Sequence, residues 1–190
     1  MRTKGFTMIE LLIVIAVIGI LAVAVLAAIN PIEQINRGHD TGSVSDAEQL
    51  IGAIDRYYTA HGYYPWMIGE TDDTNLPRSW DEADQQEDSD GCNILTKLGV
   101  TEGSCIGSEE IKLSFVSRIS ATDYNDLWIY LGSDPGDSVY LCFKPKSGAF
   151  ATEAGDRCDE TETDLPPDFP DNACDNDSDC GTLGNCYCLP

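Results

Sequence analysis

The sequence predicts an α+β protein. A long N-terminal helix, transmembrane in its first half and amphipathic in its second, should pack on a small antiparallel sheet and be followed by a disulfide-rich C-terminal tail. Three observations predict this. Leu11 to Ile29 carries no charge over nineteen residues. Ala47, Leu50, Ile51, Ile54, Tyr57, Tyr58 and His61 recur at three- and four-residue steps, which gives one apolar helical face. All eight cysteines lie between Cys92 and Cys188, beyond both helical stretches.

The first stretch is about 28 Å long as a helix, enough to cross a bilayer core. Arg2 and Lys4 precede it, then Gly5, Phe6 and one carboxylate, Glu10. An acidic residue deep in a membrane helix costs about 2.5–3.5 kcal/mol, and less near the interface, so Glu10 needs a reason to be there. An ordinary signal peptide ending near Ala27-Ala28 and a plain membrane anchor are the bland alternatives, but neither accounts for that glutamate.

The segment Lys4-Gly5-Phe6-Thr7-Met8-Ile9-Glu10, running into the apolar stretch, resembles the N-terminus of type IV prepilins and type II secretion pseudopilins. The likeness covers about the first 35 residues. It implies a pilin-like fold and cleavage between Gly5 and Phe6 by a membrane peptidase that also N-methylates Phe6. It further implies that Glu10 pairs with the Phe6 amine of a neighbouring subunit. The implied partners are copies of the chain and other pilins, the prepilin peptidase/methyltransferase, an inner-membrane assembly platform and the membrane itself. The implied location is the cytoplasmic membrane, single-pass with the N-terminus inside, and then a surface or extracytoplasmic filament. A processed amine is mostly cationic at neutral pH, and both it and the helix dipole favour an anion at Glu10.

These readings divide the chain into a leader (1–5), an assembly helix (6–30), the second half of the helix (31–62), a head with an antiparallel sheet (63–158) and a cysteine-rich tail (159–190). Pro31 removes a donor and disfavours helical geometry at Asn30, which predicts a kink. Gly38 and Gly42 weaken the helix beyond it, and Ser45-Asp46-Ala47-Glu48 is a capping-box pattern able to start a new one. Residues 37–44 are therefore open to unwinding, whereas the resemblance favours a continuous helix. Gly62 ends the second half, and Tyr63-Tyr64-Pro65-Trp66 leads out.

Gly69 to Gly91 reads as an acidic surface loop with a short helical piece over Trp80–Gln86. Lys112–Val116, Leu127–Leu131 and Ser138–Lys144 read as strands, with Ala149–Thr152 as a possible fourth. The formal charge of −22 becomes −24 when loss of Arg2 and Lys4 takes the 11 basic residues to 9. That balance argues against nucleic-acid partners. A small patch of Lys144, Lys146 and Arg157 is the one feature in favour.

Cys92, Cys105, Cys142, Cys158, Cys174, Cys180, Cys186 and Cys188 read as a disulfide framework in an exported region. The expected pairs are Cys92 with Cys105 and Cys142 with Cys158. The last four should pair among themselves, in either of two arrangements. Zinc is disfavoured by the spacing of Cys186 and Cys188 and by the absence of histidine beyond His61. Asp175, Asp177 and Asp179 match the start of a calcium loop, but Cys180 and Cys186 stand where its glycine and glutamate belong. No cofactor is expected beyond that calcium possibility. No enzyme constellation is present, and the expected function is a filament subunit. A minor tip pilin or adhesin using the cysteine-rich tail, or a secretion or competence pseudopilin, are the alternatives.

Overall fold

The structure, a computed structural model, describes residues 5–72, 78–85, 87–88, 90–122, 124–134, 136–158, 165–174 and 185–190. Helix α1 spans Met8–Ala28, about 32 Å at the usual rise, and none of its residues whose exposure is described is buried. It ends where Ile29 and Asn30 turn extended. Asn30 then caps helix α2, Pro31–His61, by accepting from the Glu33 amide at 3.4 Å. Pro31 occupies the first turn, where its missing N–H costs nothing. The kink is thus a two-residue break between helices.

Helix α2 runs unbroken through residues 37–44 and through Ser45–Glu48, so that capping-box pattern starts no helix. The reason is tertiary. Asp40 is fully buried and accepts from the Lys146 amide at 2.9 Å, the Ser147 amide at 2.8 Å and the Ser147 hydroxyl at 2.6 Å. Asp46 accepts from the Tyr124 hydroxyl at 2.8 Å and from Arg118. These contacts outweigh the weak propensity of Gly38 and Gly42. At the far end Gly62 adopts φ 79° and closes the helix with a bond to the Tyr58 carbonyl.

Strands β1 (Arg78–Glu82), β2 (Trp128–Leu131), β3 (Val139–Phe143) and β4 (Tyr187–Leu189) form one antiparallel sheet in that order. Side chains alternate across β3. Val139, Leu141 and Phe143 face α2, where Leu50, Ala53, Ile54 and Tyr57 complete the core. Tyr140 and Cys142 face the other way and are covered by Phe169, Ala173 and Cys186. Every residue of β3 is buried for this reason.

Several expected elements differ. Lys112–Val116 is no strand, because Leu113–Ile119 forms helix α4. Its buried partners Ile111, Phe115 and Ile119 recur every four residues, a period hidden when the window stops at Val116. Ala149–Thr152 belongs to helix α5, Gly148–Arg157, capped by Ser147. The stretch expected to be helical near Trp80 is β1, where pairing with β2 overrides local preference. Helix α3, Ile94–Leu98, lies inside the Cys92–Cys105 loop.

The disulfides also differ. Cys92 pairs with Cys105. Cys142 bonds Cys188, its direct neighbour across the β3–β4 ladder, and not Cys158. Cys158 bonds Cys174. Cys186 is disulfide-bonded as well, and Cys180 lies outside the described residues. Within the expected tail, the described residues 185–190 contribute a strand to the sheet, and Cys174 and Cys188 are each bonded to cysteines of the head.

Candidate assembly site at the N-terminal helix

The site is built on the first turn of α1. Thr7 is extended (φ −84°, ψ 147°) and its hydroxyl oxygen accepts from the Glu10 amide at 3.3 Å. Glu10 returns the bond. Its Oε2 accepts from the Thr7 amide at 2.9 Å and from the Thr7 hydroxyl at 2.6 Å. The reciprocal box satisfies donors that a helix start leaves open, in the one segment where water is scarce. Among the described residues no donor meets Glu10 Oε1.

Around this box the surface is apolar on every side. Phe6 is 75% exposed and Met8 89%, and Ile9, Leu11, Leu12 and Ile13 are more than half exposed. Nothing among the described residues buries them. Such a surface is unstable in water and demands lipid or protein. Gly5 and Phe6 precede the box, so a cut between them leaves Thr7 and Glu10 untouched. Glu10 could be singled out from its oddity in an apolar run. Thr7 was missed, although Thr7-x-x-Glu10 is itself a capping-box pattern legible in the sequence.

Residues 1–26 match the family model described as the prokaryotic N-terminal methylation motif. This segment is similar to the N-terminus of type IV prepilins, and the match ends within α1. The chain is 42% identical over 62 residues to the type IV major pilin protein PilE of Neisseria gonorrhoeae, covering 33% of this chain and 36% of that protein. It shows the same identity over the same length to a fimbrial protein of Neisseria meningitidis serogroup B, covering 35% of it. The chain spans about a third of the length of the curated relatives it matches. No solved structure matches it.

The other predicted site residues fall elsewhere. Asp175, Asp177 and Asp179 lie outside the described residues, and among the described residues no group of three acidic, histidine or cysteine side chains is placed to hold a metal. Lys146 and Arg157 serve different elements. Arg157 bonds the Cys188 carbonyl at 3.0 Å, pairs with Glu153 and stacks over Tyr187, which fastens α5 to β4. Asp88 lies in the run expected to be solvated. It is instead buried, bridged to Lys97 at 2.6 Å and accepting from the Cys92 amide at 2.8 Å.

Proposed function

We propose that the chain is a structural subunit of a type IV pilus-like filament. A prepilin peptidase cuts between Gly5 and Phe6 and methylates Phe6, and the mature subunit polymerises through α1. The observation that carries this reading is a 21-residue apolar helix left wholly uncovered, with one carboxylate held in its first turn. Before assembly the bilayer covers that surface, and within a filament the α1 helices of other subunits replace the lipid. The contact is head-to-tail and does not close, so it extends into a fibre.

Processing and pairing use the same residues. The new Phe6 amine is cationic at neutral pH, and methylation keeps its charge. Glu10 already spends Oε2 on Thr7, which orients the carboxylate toward the helix start. Its second oxygen then receives the amine of a neighbouring Phe6. In an apolar setting an unmatched charge is strongly disfavoured, so the pair selects register. Partners in this scheme are other pilins, the peptidase and an assembly platform in the membrane. The head projects outside.

Mass spectrometry of the mature N-terminus tests the processing step. The expected species begins at Phe6 with one added methyl. A chain beginning near Ala28 would instead identify an ordinary signal peptide and end the filament reading.

A further inference from the structure

Two clefts, one near each end of α2, differ in the charge of their linings. Near the start of α2 a cleft of about 560 Å³ lies between Gly38, Gly42 and Asp46 on one wall and Arg118 and Lys146 on the other. At the other end of α2 a cleft of about 440 Å³ is lined by Gly62, Tyr64, Glu70, Asp134 and Asp137. His39 and Gly62 are separated by about 35 Å of helix. The lower cleft presents Lys146 beside the half-exposed Arg118, which is paired with Asp46 on the same lining, so it is basic by a single charge in a chain with a large excess of acid. The upper cleft presents three carboxylates beside the carbonyl end of α2, whose dipole adds negative potential.

The glycines give a second, independent observation. A Cβ at Gly38 or Gly42 would meet nothing within 4 Å. Glycine inside a helix lowers its stability relative to alanine, and here the subunit's own packing gains nothing in return. Bare backbone on a helix wall is useful when something outside must approach closely. Both glycines open onto the cleft that Lys146 and Arg118 flank.

We infer that the Gly38–Gly42 cleft receives the acidic end of a second copy, around Glu70, Asp134 and Asp137, so that subunits stack axially in the filament by charge as well as through α1. A basic cleft calls for an acidic partner, and the upper cleft of another head, lined by Glu70, Asp134 and Asp137, meets that requirement. Continuity supports this, because α2 begins two residues after the assembly helix ends. Complementary potentials of this kind fix register and suppress wrong contacts more than they add affinity. The inference rests on the filament reading above.

A charge swap in the full chain tests it. Lys146→Glu and Glu70→Lys are made singly and together, and filaments sheared from producing cells are compared with the subunit left in the membrane. Each single change is expected to lower filament yield about five- to tenfold, and the double change to restore it to within about twofold. Gly42→Leu guards against misfolding. It should melt no lower than the parent, because leucine is the better helix former, yet fill the cleft and cut filament yield about tenfold. Native disulfides, mapped without reduction, confirm that each variant is folded. Single variants and Gly42→Leu that assemble at parental yield overturn the contact, as does a double variant no better than its poorer parent. Glu10→Ala separates the two ideas. If it abolishes filaments while the swap series has no effect, only the axial contact falls. If the unaltered chain builds no filament, both fall.

Discussion

Glu10 and Asp40 are both carboxylates on the long helices, and their surroundings give them opposite tasks. Glu10 is exposed on an apolar helix and bonds only the Thr7 turn. Replacing it with alanine removes a charge from the apolar segment, so membrane insertion is retained or improved. On the proposed pairing of Glu10 with a neighbouring Phe6 amine, filament yield should fall at least tenfold. Membrane fractionation beside filament shearing measures both, and an unchanged filament yield would remove the role assigned to Glu10. Asp40 works inside the fold. It accepts three bonds while fully buried and, with Glu33, collects the amides of residues 146–149 at the start of α5. Asp40→Asn keeps the shape but turns an amide NH₂ toward backbone donors. The expected loss is about 2–4 kcal/mol of stability, read from urea unfolding in detergent.

At the scale of elements the tail decides most. β4 has three residues, too few to hold an edge by ladder bonds alone, yet it covers Leu141, Cys142 and Phe143. The Cys142–Cys188 bridge closes a sequence separation of 46, against 13 for Cys92–Cys105. The chain-entropy relation assigns about 4 kcal/mol to the former and about 3 to the latter. Replacing Cys142 and Cys188 together with alanine should therefore destabilise the head more than replacing Cys92 and Cys105. Hydrogen exchange should show Tyr187–Leu189 losing protection first. Equal loss in both variants would mean that β4 docks without its staple. Sequence alone shows α1 clearly, because nineteen uncharged residues admit one reading. The Ala47–His61 stripe is equally legible, since a repeated step over fifteen residues outweighs local noise. Short windows mislead. Ala149–Thr152 offers four residues without a period, and its helix depends on Ser147 together with carboxylates over a hundred residues away. The local pair Cys92–Cys105 was legible, but the pairing of Cys142 was not, because it meets Cys188 only once β4 joins the sheet. At the site, Gly5, Phe6 and Glu10 stand out by pattern, while the Thr7 contribution emerges from the geometry of the first turn.

At the scale of the whole molecule, four carboxylates outside α1 form two sets with opposed pH dependence. Burial and the nearby Asp126 hold Glu82 and Asp84 above their ordinary values of 4.5 and 3.8. The folded chain takes up protons there before the unfolded chain does, so stability rises as pH falls toward them. Glu33 and Asp168 behave the other way. The Gly148 amide holds Glu33 below 4.5, and the Ser138 amide holds Asp168 below 3.8. Their contribution is complete above the unfolded values and is lost as pH falls through the folded ones, when the unfolded chain binds more protons. Acid excess acts in the same sense as the first set, since partial protonation relieves repulsion in a chain of formal charge −22. Stability should therefore pass through a maximum at about pH 5–6, on the acid side of neutrality, and drop steeply below about pH 4. Urea midpoints of the full chain in detergent, taken from about pH 3 to 8, trace this curve. The two limbs are separable. Glu82→Gln should flatten the neutral side, because the proton it would take up on folding is gone. Glu33→Gln and Asp168→Asn should flatten the acid side and lower the maximum, since the bonds to the α5 amides and to Ser138 and Tyr140 weaken at every pH. A midpoint that declines steadily from neutrality to pH 5 would show that the raised carboxylates around β1 do not govern the neutral limb, and would leave the tail and α5 contacts as the sole source of acid sensitivity.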